Sequence, residues 1–132
     1  MARKHNVLLV DDEDSILATL RLVFEADGYA VHTASSCRDA LRLLKDGVAV
    51  DAVVTDLNME QNDIGLEVAR FAQTLRPAPV VVVCTGFANE DNTRKALQLH
   101  IDYLVQKPVD LNELSQALRR LLRRRGEKRL RR

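Results

Sequence analysis

NVLLVDDED, residues 6–14, is a short apolar run that breaks abruptly into four acids. A run this brief, continuous rather than alternating, reads as a strand buried on both faces, the kind that fills parallel sheets. Its carboxyl end then delivers Asp11 and Asp12. The same design recurs three times further along: DAVVT (51–55) leads into Asp56, VVVVC (80–84) into Thr85, and YLVQ (103–106) into Lys107. Open α/β sheets bind ligands at the carboxyl ends of their strands. Three carboxylates, a hydroxyl and an amine are therefore expected in one crevice.

Segments of helical period separate these runs, which is the pattern of βαβ units. The expected order is β1 at 6–10, α1 at 14–27, β2 at 29–33, α2 at 36–46, β3 at 51–55, α3 at 63–75, β4 at 79–84, α4 at 89–99, β5 at 102–106 and α5 at 110 to about 125. The fold class is α/β, a doubly wound, five-stranded parallel sheet. Ile16, Leu17, Leu20 and Val23/Phe24 make one apolar face on α1, and Leu111, Leu114, Leu118, Leu121 and Leu122 do so on α5. Gly28 and Gly47 are placed as helix stops, Asp110 as an N-cap, and Pro77 and Pro79 as the break between α3 and β4.

At 132 residues the chain is long enough to bury one core without disulfides or a structural metal. No apolar run approaches the roughly 20 residues that span a bilayer, so membrane insertion is not expected and the location reads as cytoplasmic. Cys37 and Cys84 have no CxxC or Cys/His spacing and are expected reduced and without a role. The net charge of +1 hides an asymmetry: residues 1–118 carry 11 Lys/Arg against 18 Asp/Glu, whereas residues 119–132 carry 9 against 1. An acidic body thus bears a basic end.

If β1 lies beside β3, Asp11, Asp12 and Asp56 approach one another, and clustered carboxylates call for a cation. Mg²⁺ suits them, being an oxygen-seeking ion held by one or two carboxylates plus phosphate oxygens. An Asp carboxylate can act as a nucleophile on phosphorus, and Asp56, alone at its strand end, is the candidate. Thr85 offers a hydroxyl to a phosphoryl oxygen, with Gly86 leaving room beside it, and Lys107 offers a fixed positive charge.

This set resembles the receiver domain of two-component response regulators, a flavodoxin-like fold, over residues 5 to about 122. The acid pair after β1, DLNM opening on Asp56, Thr85-Gly86 after β4 and Lys107-Pro108 after β5 stand in family order. The separations of 44 residues from Asp12 to Asp56, 29 to Thr85 and 22 to Lys107 are similar to the family's. The resemblance implies Asp56 as phosphoacceptor, Asp11, Asp12 and Asp56 with the Asn58 carbonyl as the Mg²⁺ ligands, Thr85 as switch hydroxyl, and Lys107 as phosphoryl-binding amine. It also implies a cis peptide between Lys107 and Pro108. Two places depart from the pattern. Leu104 stands where the family usually has an aromatic, with Tyr103 one position earlier, and Glu60 stands where proline is common, in a loop about one residue longer.

The expected function is then a phosphoacceptor signalling domain, self-phosphorylating and self-dephosphorylating rather than a turnover enzyme. It would be fed by a histidine kinase or phosphotransfer protein, and α4–β5–α5 would be its switching face toward a downstream target or a second copy. None of His5, His32 and His100 has the surroundings of a phosphodonor. Singly, Asp11 and Asp12 could be helix-capping acids and Lys107 a surface amine; jointly, those readings need four coincidences in order. Alternatives are a phosphate-independent scaffold, motivated by Leu104 and Glu60, and an aspartyl-phosphate phosphatase, for which Asn58 is the wrong residue two places after Asp56.

The receiver is expected over 1–125, with a basic tail over 126–132. Gly126 is expected to stop α5 and leave a frayed end, and little chain remains for an output domain. Nucleic-acid contact by this basic end is weighed against a plain solvated helix end, and the latter is favoured for specific recognition, because no reading helix or aromatic platform accompanies the charge.

Overall fold

The computed structural model describes residues 3–61, 63–86 and 89–130. Five parallel strands form one sheet in the order β2-β1-β3-β4-β5, with β1 Asn6–Val10, β2 Ala30–Ala34, β3 Ala52–Asp56, β4 Val80–Thr85 and β5 Tyr103–Gln106. The helices are α1 Asp14–Ala26, α2 Cys37–Lys45, α3 Gly65–Ala72, α4 Glu90–Gln98 and α5 Leu111–Leu130. All ten expected elements are present in the expected order.

The continuous Val/Leu runs are explained by two cores, one on each face of the sheet. Val7, Leu9, Val54 and Val82 point to the face covered by α1 and α5, where Leu17, Leu20, Phe24, Leu114, Leu118 and Leu122 meet them. Leu8, Val10, Val53, Val81 and Val83 point to the opposite face, against Ala40 and Leu44 of α2, Leu66, Val68 and Ala69 of α3, and Ala96 of α4. Side chains alternate along a strand, so a strand covered on both faces must be apolar at every position. Leu104 joins the α2–α4 core and Tyr103 the α1/α5 core. The two therefore face opposite ways.

Gly28 and Gly47 follow α1 and α2 with φ of 95° and 85°, the left-handed conformation that ends a helix most readily at glycine. Asp110 Oδ1 accepts from Glu113 N at 3.0 Å, capping α5 as expected. Strand β5 begins one residue late, because Asp102 exchanges two bonds with Val81: its N donates to the Val81 carbonyl, and its Oδ2 accepts from Val81 N at 2.7 Å. Helix α3 starts later than its apolar spacing indicates, because Asp63 takes a left-handed φ of 61° before it.

The largest correction concerns α5. Gly126 does not stop it: the helix continues to Leu130, while Arg131 and Arg132 lie outside the described residues. A helical glycine costs about 1 kcal/mol against alanine, and the neighbouring Arg125 offsets this. Its Nε donates to the Ala78 carbonyl at 2.8 Å and its Nη1 to Asp51 Oδ1 at 3.2 Å, fastening the far end of α5 to the sheet.

Candidate functional site

The sheet order decides what meets at the carboxyl edge. Because β1 lies beside β3, with Val10 opposite Thr55, the residues that follow each strand are neighbours. Carboxylate oxygens of Asp11, Asp12 and Asp56 all lie within 4.8 Å of one another. Asp11 and Asp56 are 4% and 6% exposed, whereas Asp12 faces solvent, so a ligand reaches the pair from one side.

Lys107 closes the site. Its Nζ stands 3.0 Å from Asp11 Oδ2 and 3.3 Å from Asp56 Oδ2, held there because its backbone N donates to the Thr85 carbonyl at 2.8 Å. The Lys107-Pro108 peptide is cis, as the resemblance implied. Thr85 is fully buried at the end of β4, with Gln106 as its strand partner.

The Asp56 carboxyl is raised to about 6: burial pushes it up, the Lys107 ammonium draws it partly back, and the charge of Asp11 adds to the rise. For Lys107 burial favours the neutral amine, but the bond to Asp11 and the charge of Asp56 outweigh it and hold the ammonium above its ordinary range. Cys84, paired in register with Asp56, has its thiol pushed up to about 12 by burial, which agrees with an inert apolar role.

Asn58 lies in the loop after β3, where its side-chain Oδ1 accepts from Asp63 N at 2.7 Å. Its backbone N–H donates to the Asp56 carboxylate and so favours the charged form of that group. Three features of this segment escape sequence reasoning. Glu60 Oε1 accepts from Cys37 N at 2.9 Å, so this loop acid caps the first turn of α2. Asp63 Oδ2 meets Lys95 Nζ of α4 at 3.1 Å. Gly65 is a third: it is the first residue of α3, behind Ile64 at the N-cap, and a glycine just inside a helix, where it is a poor helix former, was the available signal.

The model of the response regulator receiver domain family matches residues 7–119. The chain belongs to that family. Among curated relatives, this receiver is 34% identical to the transcriptional regulatory protein GlrR of Escherichia coli (strain K12) over 86% of its own length and 25% of that protein. It is 38% identical to the alginate biosynthesis transcriptional regulatory protein AlgB of Pseudomonas aeruginosa over 85% of its length and 24% of that protein. The receiver thus spans about a quarter of the curated relatives it matches. Among solved structures, a response regulator receiver domain protein from Clostridium thermocellum superposes with a TM-score of 0.82 at 30% identity, over 92% of this chain and 97% of that one. The CheY-like receiver domain protein from Methanospirillum hungatei JF-1 gives 0.89 at 24% identity over 96% and 99%, a likeness of fold. Receivers are signalling domains of two-component systems and in general not turnover enzymes. Among the described residues no helix is long and apolar enough to cross a membrane.

Proposed function

We propose that this receiver accepts a phosphoryl group on Asp56 from the phosphohistidine of a histidine kinase or phosphotransfer protein. The observation that carries the reading is Lys107 Nζ spanning Asp11 and Asp56 inside a three-carboxylate cluster. The donor set fits a hard divalent cation, since the clustered atoms are all carboxylate oxygens with no nitrogen or sulfur among them. Asp11, Asp12, Asp56 and the Asn58 carbonyl would hold Mg²⁺, which when bound neutralises charge on the phosphoryl oxygens and favours the ionised Asp56 carboxyl.

An Asp56 carboxylate oxygen attacks phosphorus in line with the leaving imidazole. The O–P bond forms, the P–N bond breaks, and its electron pair leaves on the histidine nitrogen. Lys107, shared in the resting site by two carboxylates, turns its charge to a phosphoryl oxygen, and the Thr85 hydroxyl donates to another. Attack by water on phosphorus later breaks the O–P bond, restores the carboxylate and releases phosphate. The movement of Thr85 shifts the balance between two arrangements of the α4–β5–α5 face, which meets a downstream protein or a second copy. The receiver unit takes in the whole of α5, whose last turns carry the basic end, and its setting is the cytoplasm, where a kinase's transfer domain can reach it.

Intact-mass measurement after incubation with Mg²⁺ and acetyl phosphate tests this. A single acid-stable, base-labile phosphoryl adduct that Asp56→Asn abolishes is the expected result. An adduct of equal stoichiometry on the Asp56→Asn protein defeats the assignment.

A further inference from the structure

The edge of the sheet opposite the carboxylate cluster carries the reverse charge. Helix α5 runs back along the sheet and ends there, and Arg120, Arg124 and Lys128 follow at four-residue spacing along one exposed row, about 6 Å of helix rise per step. Arg119 and Arg123 form the row beside it. These five side chains form no ion pair among the described residues. Arg124 and Lys128 also line a cleft of about 800 Å³, whose far wall includes Arg76 from the segment before β4. The acids nearby are outnumbered: Asp102, which lines the same cleft and accepts from Val81 N, and Glu127 on the helix stand against these five cations and Arg76.

We propose that this edge binds the phosphodiester backbone of nucleic acid without sequence preference. A regular row of fixed cations on a continuous helix matches a linear polyanion, and backbone contacts need no base-reading side chain. The helix's continuity through Gly126 brings Lys128 into line with Arg120 and Arg124 and so lengthens the row by one step. The Arg125 contacts with Asp51 and Ala78 fix the row against the body. A membrane surface fits less well. Interfacial helices need an exposed apolar face, and the apolar face of α5, Leu114, Leu118 and Leu122, is spent on the sheet, with Leu130 alone exposed. The acidic cluster lies at the other end of the strands, so the polyanion and the phosphoacceptor do not compete for one surface.

Fluorescence anisotropy of a labelled duplex of arbitrary sequence, titrated with the full chain across a salt series, tests the proposal. With about four phosphate contacts, affinity should fall about a hundredfold between about 50 and 200 mM salt. Arg124→Ala/Lys128→Ala should lower the log–log salt slope by about 2, and Arg124→Glu/Lys128→Glu should abolish binding. Both positions are exposed, and unchanged circular dichroism and thermal midpoint establish that these variants are folded. Arg42→Ala/Lys45→Ala on α2, with the same change in net charge, should leave binding intact. Absence of binding at about 50 mM salt overturns the proposal, as does equal weakening by the α2 variant. Tighter capture on phosphatidylglycerol vesicles or on polyglutamate than on the duplex overturns it as well.

Discussion

The carbonyl oxygen of Asp56 lies 1.9 Å from the point where Gly65 would carry a β-carbon. Helix α3 is pressed against the end of β3 this closely because Gly65 N donates to the Leu57 carbonyl at 2.8 Å. Any side chain here must displace backbone, as the Asp56 carbonyl carbon and Leu57 Cα lie within 3 Å of the same point. Gly65→Ala should cost about 3 kcal/mol or more, at the upper end for overpacking, since no flexible side chain can yield. Urea unfolding measures the loss. Phosphoryl-adduct formation, normalised to folded protein, should fall with it, because the clash moves the backbone of Asp56, the proposed acceptor.

The raised Asp56 carboxyl has a consequence for stability in Mg²⁺-free solution. Its folded value of about 6 exceeds the ordinary 3.8, so between about pH 4 and 6 the folded state binds more protons than the unfolded one. Stability should therefore decline as pH rises through that window and level off above it. Asp56→Asn should remove this part of the slope and raise the thermal midpoint at pH 7 by about 3–5 °C. Mg²⁺ at pH 7 should raise the wild-type midpoint and leave that of Asp56→Asn nearly unmoved. Differential scanning calorimetry across the pH series, with and without Mg²⁺, decides both points.

The strands and the residues at their ends were legible because burial on both faces leaves a period-free apolar signature, and strand length then dictates which residue comes next. Asp11, Asp56, Thr85 and Lys107 could be placed from that signature alone, given a crossover that sets β1 beside β3. What could not be read was decided by contacts distant in sequence. Gly126 carries the local signal of a helix stop, yet Arg125 finds Asp51, 74 residues away, and the helix continues. Glu60 reads as a loop acid until α2 brings the Cys37 N–H to it, 23 residues away. Local propensity is weak where a long-range partner is fixed by the fold.

Glu60 ties the loop after Asp56 to the start of α2. Glu60→Ala removes the acceptor of the Cys37 N–H and should cost about 1 kcal/mol, the size of a lost helix cap. Glu60→Gln keeps an acceptor oxygen without the charge and should recover about half or more of that. The distinguishing readout is hydrogen exchange. The amides of Cys37 and of the loop around Asp63 should lose protection together in Glu60→Ala, while those of β1 and β3 keep theirs. Loss confined to α2 would show that Glu60 caps a helix without restraining the loop.

Asp51 is the counterpart at the opposite edge, a buried carboxylate held by Asn6 N at 2.7 Å, Arg3 at 3.1 Å and Arg125 at 3.2 Å. Burial alone would raise its pKa, but the Asn6 N–H and the two guanidinium groups outweigh it and keep the carboxyl below its ordinary range. A depressed folded value contributes stability that is fully present above about pH 4 and is lost as pH falls through that folded value. Arg125→Ala leaves Arg3 as a partner, so Asp51 is not orphaned, and the expected cost at pH 7 is about 1–2 kcal/mol, that of hydrogen bonds to a charged group. Arg125→Lys keeps the charge but loses the fork that reaches both Asp51 and the Ala78 carbonyl, and should recover only part of it. As Asp51 is protonated the charge component disappears, so the wild-type and Arg125→Ala unfolding curves in urea should draw together as pH falls through the lowered folded value of Asp51. An undiminished gap there would assign the contribution of Arg125 to its bond with Ala78 and its packing instead of to the ion pair.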